Sequence, residues 1–197
     1  MRGSDRFRSR AGAAVLVALS SFALLATSMA HAREIEGVEF PERIEVGDTP
    51  LNLNAVGLLR YMYVFKAYVA GLYLGPDVRP SQILDDTPKR LAITYFYPIA
   101  REDFVSSTAE AIRKNVGNAG FEALAESIAS FNALYKSVEP GDRYELTYLP
   151  GTGTELSLNG TALGTIEGAE FARAVFSIWF GDAAIDGDLK KRLLSSS

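Results

Sequence analysis

The sequence predicts an α+β domain in which helices pack on one face of a largely antiparallel sheet. Three observations carry this expectation. Stretches with strand-like alternation fill the segment from Ile35 to Tyr97 and return from Arg143 to Ile166. Between them, from Arg101, the apolar period changes to that of helices. Asn159-Gly160, a strong two-residue hairpin signal, joins two of the late strands. Strands, then helices, then strands, then a helix is the order of α+β proteins rather than of alternating βαβ units.

The first residues read as an export signal rather than as part of the fold. Arg2, Arg6, Arg8 and Arg10 form a basic region, Ala11 to Ala30 is apolar and rich in small residues, and Ala30-His31-Ala32 is a cleavage signal. The expected division is therefore a signal peptide over 1–32 and one domain over 33–197, placed in the periplasm. Uncleaved, the same run would serve as an N-terminal anchor. Cleavage removes His31, the only histidine, and the chain has no cysteine. Zinc and thiol sites, Ser-His-Asp triads and haem ligation through His or Cys lose their usual residues. No cofactor and no metal site are expected. Losing four arginines and one aspartate leaves 16 basic and 23 acidic side chains, a net charge of −7. Such an acidic chain without a basic patch argues against nucleic acid and against anionic membrane surfaces as partners.

Along the mature chain, Ile35–Phe40 and Arg43–Asn54 alternate as short strands, with a turn at Gly47-Asp48. Gly57–Gly75 follows as GLLRYMYVFKAYVAGLYLG, too rich in tyrosine and charge for a membrane span and suited to core strands. Pro76 and Pro80 punctuate, Ser81–Leu84 is a short helical turn, and Arg90–Tyr97 is a strand. Phe104, Val105, Thr108, Ile112 and Val116 mark one face of a helix that Gly117 and Gly120 break. Phe121, Leu124, Ala125, Ile128, Phe131 and Leu134 mark a second. Arg143–Leu149, Glu155–Leu158 and Ala162–Ile166 are antiparallel strands, Phe171–Phe180 is a helix capped by Gly181, and Asp188–Leu194 is a final amphipathic turn or two.

Several motifs invite a functional reading and do not sustain one. Glu102-Asp103 opens a helix, where acids complement the dipole. Gly151–Thr154 lacks the lysine and helix of a phosphate loop and reads as a hairpin loop. Asp182, Asp186 and Asp188 lack the downstream bidentate Glu of a calcium loop and read as solvated loop and helix cap. Asn115, Asn118 and Asn132 read as helix-edge amides. Two features remain. Six of the nine tyrosines fall between Tyr61 and Tyr97, so two neighbouring strands share an aromatic face, either as core or as a pocket wall. Arg60 sits in an apolar run with no Asp or Glu between Thr49 and Pro76. Its partner is a distant carboxylate, water or a ligand anion.

The Gly57–Gly75 run, the strand, helix pair and hairpin after it, and the terminal AVFSIWFGDAAIDGDLKKRLL together resemble the chalcone isomerase-like superfamily, closest to its exported bacterial branch. The resemblance runs from about Val38 to Leu194. It implies an open-faced β-sandwich, a large antiparallel sheet with helices on one face. It aligns Arg60 with the catalytic arginine of plant chalcone isomerases, but puts Tyr68, Phe104, Ala111 and Ile178 where those enzymes carry hydroxyl and amide groups. Losing that network leaves no positioned donor for acid–base work. The non-catalytic branch holds a fatty-acid carboxylate with an arginine and a tyrosine, and Arg60 with Tyr68 resembles that pair. The expected function is a non-catalytic binder of a hydrophobic carboxylate, with Arg60, Tyr68, Tyr61, Tyr95 and Phe104 at the site. Two alternatives stand beside it: an isomerase on an enone with Arg60 as electrophile, and a partner-binding protein with no small ligand. Arg60 and Tyr68 meet only if the chain bends between about Tyr61 and Val64, since eight extended residues span roughly 26 Å.

Overall fold

The computed structural model describes residues 32–61 and 65–195, Tyr61 in its backbone only. Of the expected signal peptide, all but Ala32 lies outside the described residues. The main sheet is antiparallel throughout and runs in chain order: β3 (Arg43–Val46), β4 (Thr49–Tyr61), β5 (Phe65–Leu74), β6 (Lys89–Tyr95), β7 (Arg143–Leu149), β8 (Gly153–Leu158) and β9 (Thr161–Ile166). This meander is interrupted once. Between β6 and β7 the chain leaves the sheet for α1 (Arg101–Ala123) and α2 (Ala125–Leu134). Helices α3 (Ala169–Phe180) and α4 (Gly187–Leu194) follow β9. A separate hairpin of β1 (Ala32–Ile35) and β2 (Val38–Pro41) precedes the sheet. The single strand expected over Ile35–Phe40 is thus two strands, because the chain reverses at Glu36-Gly37 with φ of 52° and 77°.

The sheet buries side chains on both faces, by different means. On one face, Ala70, Leu72, Leu91, Ile93, Leu146 and Leu156 pack against the helices. The helices answer with one apolar face each: Phe104, Thr108 and Ile112 on α1, Ile128 and Phe131 on α2, and nearly the whole circumference of α3. Gly117 interrupts α1 with φ 72° and ψ 175°, a conformation outside the helical region, and so realises the break that glycine signals in the sequence. On the other face, Phe40 of β2 is fully buried against Leu51, Leu53, Val69, Tyr73 and Ala92. The large sheet with helices on one face is the open-faced arrangement that the sequence predicts.

Two extra residues in the β4–β5 ladder decide which side chain faces which layer. Leu53 pairs with Tyr73 and Ala55 with Leu72, leaving Asn54 as the extra residue on β4. Its amide donates to the Leu193 carbonyl of α4 at 2.7 Å. Further along, Leu59 pairs with Tyr68 and Arg60 with Lys66, leaving Ala67 as the extra residue on β5. Because alternate residues face opposite ways, each bulge swaps the faces beyond it.

Two further details anchor the sheet. Lys89 on β6 is fully buried, and its ammonium donates to the carbonyls of Ile83 (2.8 Å) and Asp85 (2.6 Å). The same ammonium lies over the rings of Tyr148 and Phe176. Burial lowers its pKa to about 8, with Asp85 and Asp86 pulling the other way. Gly181 does end α3, but in an extended conformation (φ −74°) rather than the left-handed one. It is needed for space, since a Cβ there would lie 2.1 Å from Asn115 Oδ1. That oxygen accepts from Ala183 N, so Asn115 ties α1 to the loop after α3.

Gly71 sets how closely the N-terminal hairpin seats. A Cβ at Gly71 would lie 2.4 Å from Phe40 Cδ1. Gly71→Ala should therefore cost about 1–3 kcal/mol of unfolding free energy through overpacking. Phe40→Ala should cost about 3–5 kcal/mol. In urea titrations the double variant should lose less than the sum of the two, because the missing ring leaves room for the new methyl.

Candidate functional site

A cavity of about 230 Å³ lies between the sheet and the helices. Its walls come from four places. Strands β5 and β6 give Tyr68, Leu91, Ile93 and Tyr95, and β7 and β8 give Tyr144, Leu146 and Leu156. Helix α1 presents Asp103, Phe104, Ser107 and Thr108, while α2 and its end give Phe131 and Tyr135. Helix α3 and the loop after it give Ile178, Trp179 and Ile185. The exposed Asp103, Ser107 and Ile185 mark the mouth, and the buried side chains form the floor. For scale, an engineered apolar cavity of roughly 150 Å³ holds a benzene ring.

Aromatic rings stack around this space in a continuous chain. Tyr68 and Tyr95 are cross-strand partners with centroids 5.7 Å apart, and Phe104 lies 5.4 Å from Tyr95 and 5.2 Å, stacked, from Tyr135. The hydroxyls are the main polar groups inside. Trp179 Nε1 donates to the Tyr68 hydroxyl at 3.1 Å. The hydroxyls of Thr108 and Tyr135 bond to each other at 2.9 Å. Tyr144 accepts from Lys136 N and donates to Lys136 O, both at 2.8 Å. Burial raises the pKa of each of Tyr68, Tyr95, Tyr135 and Tyr144, so all four stay protonated near neutral pH. Among the described residues that line the cavity, Asp103 is the one with a carboxylate, and none is a lysine or arginine.

Of the residues singled out in the sequence, the structure brings Tyr68, Tyr95 and Phe104 to this cavity, together with Ile178. The side chain of Tyr61 lies outside the described residues. Arg60 goes elsewhere. The chain does reverse between β4 and β5, but regular alternation after the Asn54 bulge leaves Arg60 on the face that carries the N-terminal hairpin, and the bulge at Ala67 turns Lys66 to the same face. There Arg60 Nη2 lies 3.6 Å from Glu36 Oε1, and Lys66 Nζ donates to Glu36 Oε2 at 2.5 Å. The arginine side chain is 44% exposed. The distant carboxylate that it needs is Glu36, from the turn between β1 and β2. Ala111 does not line the cavity either. Sequence reasoning missed Thr108, Tyr135, Tyr144 and Trp179. Only Thr108 carried a local signal, as a polar residue on the apolar stripe between Phe104 and Ile112. The aspartates after α3 do as expected: Asp186 caps α4 by accepting from Leu189 N at 2.6 Å.

Two outcomes follow from this geometry. Arg60→Met should change stability by less than about 1 kcal/mol, as for other exposed ion pairs, in thermal and urea unfolding. Alkaline pH should act strongly. Tyr73 and Tyr148 are pushed up to about 12 by burial, the latter also by its hydrogen bond to Asp86. With the four cavity phenols, this makes six groups that ionise near pH 10 when unfolded and later when folded. Above pH 10 the unfolded chain has released protons that the native state keeps, so stability falls as pH rises, by up to ~1.4 kcal/mol per pH unit for each phenol. Lys89 works the other way between about 8 and 10.5, so the fall should be steepest above pH 10.5. Urea midpoints measured from pH 8 to 12 check both signs.

Comparisons with known proteins agree with this architecture. No curated protein matches the chain in a sequence comparison. Among solved structures, a fatty-acid binding protein from Arabidopsis thaliana superposes with a TM-score of 0.64 at 17% identity, over 83% of this chain and 96% of that one. That likeness is one of fold. The sequence profile described as chalcone isomerase-like matches residues 32–195, nearly everything after the expected signal peptide. The chain belongs to the chalcone isomerase-like family.

Proposed function

We propose that this protein is a non-catalytic binder of a hydrophobic small molecule of fatty-acid character, working in the periplasm after its leader is removed. One observation carries the reading: an apolar cavity of about 230 Å³ enclosed by sheet and helices, opening at one end and holding a few hydroxyls. The fatty-acid binding neighbour of the same fold supports the choice of ligand class. The basic and apolar character of residues 2–30 and the Ala30-His31-Ala32 signal support export. Among the described residues no helix is long and apolar enough to cross a membrane.

An isomerase acting on an enone is the second reading, favoured by the hydroxyls of Tyr68, Tyr95, Tyr135 and Thr108 that gather at the cavity. Hydroxyls of this kind can polarise a carbonyl. Burial holds the phenols protonated, so none of them is a ready base near neutral pH, and Arg60 is turned to Glu36. The binder needs neither a base nor an electrophile.

Trp179 is the only tryptophan in the chain and lines the cavity, so its emission reports occupancy. Medium-chain fatty acids should change that emission in a saturable way, and mass spectrometry of protein from the periplasmic fraction should find co-purifying acyl compounds. Ile178→Phe, which pushes bulk into the cavity, should weaken binding at least tenfold, about 1.4 kcal/mol. Binding unchanged in that variant would refute the reading. Saturable cyclisation of chalcone at an enzymatic rate would favour the isomerase.

A further inference from the structure

We infer that the cavity receives the polar end of its ligand as an uncharged hydrogen-bond acceptor, held by the Tyr95 and Tyr68 hydroxyls, and discriminates against the corresponding anion. This rests on the reading that the cavity holds an apolar ligand, and narrows it to molecules whose inner end is a ketone, an ester or an un-ionised acid.

Tyr144 both donates and accepts within the protein. Thr108 and Tyr135 engage each other. The Tyr68 oxygen accepts from Trp179, and its own proton has no acceptor among the described residues. Tyr95 is 5% exposed, lines the cavity, and its hydroxyl has no hydrogen-bond partner among the described residues. Both residues line the cavity, so these O–H groups are open to whatever occupies it, water or a ligand acceptor. These two phenols are direct cross-strand neighbours on β5 and β6, with rings 5.7 Å apart. Two adjacent O–H donors without acceptors match one carbonyl oxygen, which has two lone pairs.

Charge then selects among carbonyl compounds. Among the described residues no lysine or arginine lines the cavity, and the carboxyl group at its mouth, Asp103, is acidic. A carboxylate drawn inside would give up its hydration with no cation to meet it and with a like charge at the entrance. An uncharged carbonyl meets neither obstacle. Tyr95 is on this account the specificity-determining residue: it rewards an acceptor and offers nothing to a plain hydrocarbon.

The test uses three probes of similar length, 2-nonanone, octanoate and octane, with the purified protein at pH 7.4 and Trp179 emission as the readout. 2-Nonanone should bind at least tenfold more tightly than octanoate. Tyr95→Phe should weaken 2-nonanone about 3- to 10-fold, as the loss of one neutral hydrogen bond does, and leave octane within twofold. Retained octane binding shows that the variant still has its cavity. Tyr68→Phe should act in the same direction. Octanoate binding as tightly as 2-nonanone would overturn the inference and leave the apolar-ligand reading standing. So would an equal effect of Tyr95→Phe on ketone and alkane, which would mean that the two phenols serve only a trapped water. If none of the three probes changes Trp179 emission, the apolar-ligand reading itself falls, and this inference with it.

Discussion

The face on which each residue of β5 ends up depends on one extra residue in its ladder. Ala67 has no partner of its own opposite Leu59. With it, Tyr68 enters the helix-covered core beside Tyr95, while Lys66 turns to the opposite face, where it joins Arg60 of β4 at Glu36. A regular ladder would put Lys66 and Tyr68 on the same face, because side chains alternate with a strict period of two. The bulge thus separates an aromatic pocket wall from a small charged cluster, within a run that reads as continuous in the sequence. The bulge at Asn54 does related work on β4. It swaps the parity of β4, so that Gly57 and Leu59 face the helices while Val56, Leu58 and Arg60 stay on the hairpin side.

This separation sets the electrostatic character of the cavity. With both cations turned away, its lining is apolar apart from hydroxyls, an indole N–H and the aspartate at the rim. Its selectivity must come from shape and neutral hydrogen bonds. Of the four phenols in this lining, Tyr135 and Tyr144 are engaged within the protein, and Tyr68 and Tyr95 keep their protons toward the cavity. The N-terminal hairpin covers the other face of the sheet, so the cavity layer and the charged layer are built on the two sides of the same strands.

Much of the architecture is legible in the sequence, and the reason is periodicity. The switch from alternation to a helical period at Arg101, the turn at Asn159-Gly160 and the break at Gly117 each reflect a local backbone preference that the fold respects. Tyr68, Tyr95 and Phe104 were readable as a shared aromatic face because strand neighbours and an apolar helix stripe are local patterns too. Arg60, expected beside Tyr68, lies on the other face of the sheet at Glu36. The bulges at Asn54 and Ala67 leave no sequence signature, and the partner, Glu36, lies in a turn that alternation over Ile35–Phe40 reads as strand. Tyr135, Tyr144 and Trp179 join the cavity only through tertiary packing, and no spacing rule links them. The leader and the periplasmic placement rest on the sequence alone.

Lys89 gives the molecule an internal clock. Its amine is sealed beneath Tyr148 and Phe176 and pinned to two loop carbonyls, yet burial brings it close to its neutral, nucleophilic form at mildly alkaline pH. Acylating reagents modify neutral amines that they can reach. Lys89 has no exposed surface, so in the closed fold it stays out of their reach. Its acylation therefore reports openings that expose it, the lifting of the 80–86 loop from the sheet as well as unfolding of the whole. A single covalent tag at this position would record local breathing next to the strand that carries Tyr95.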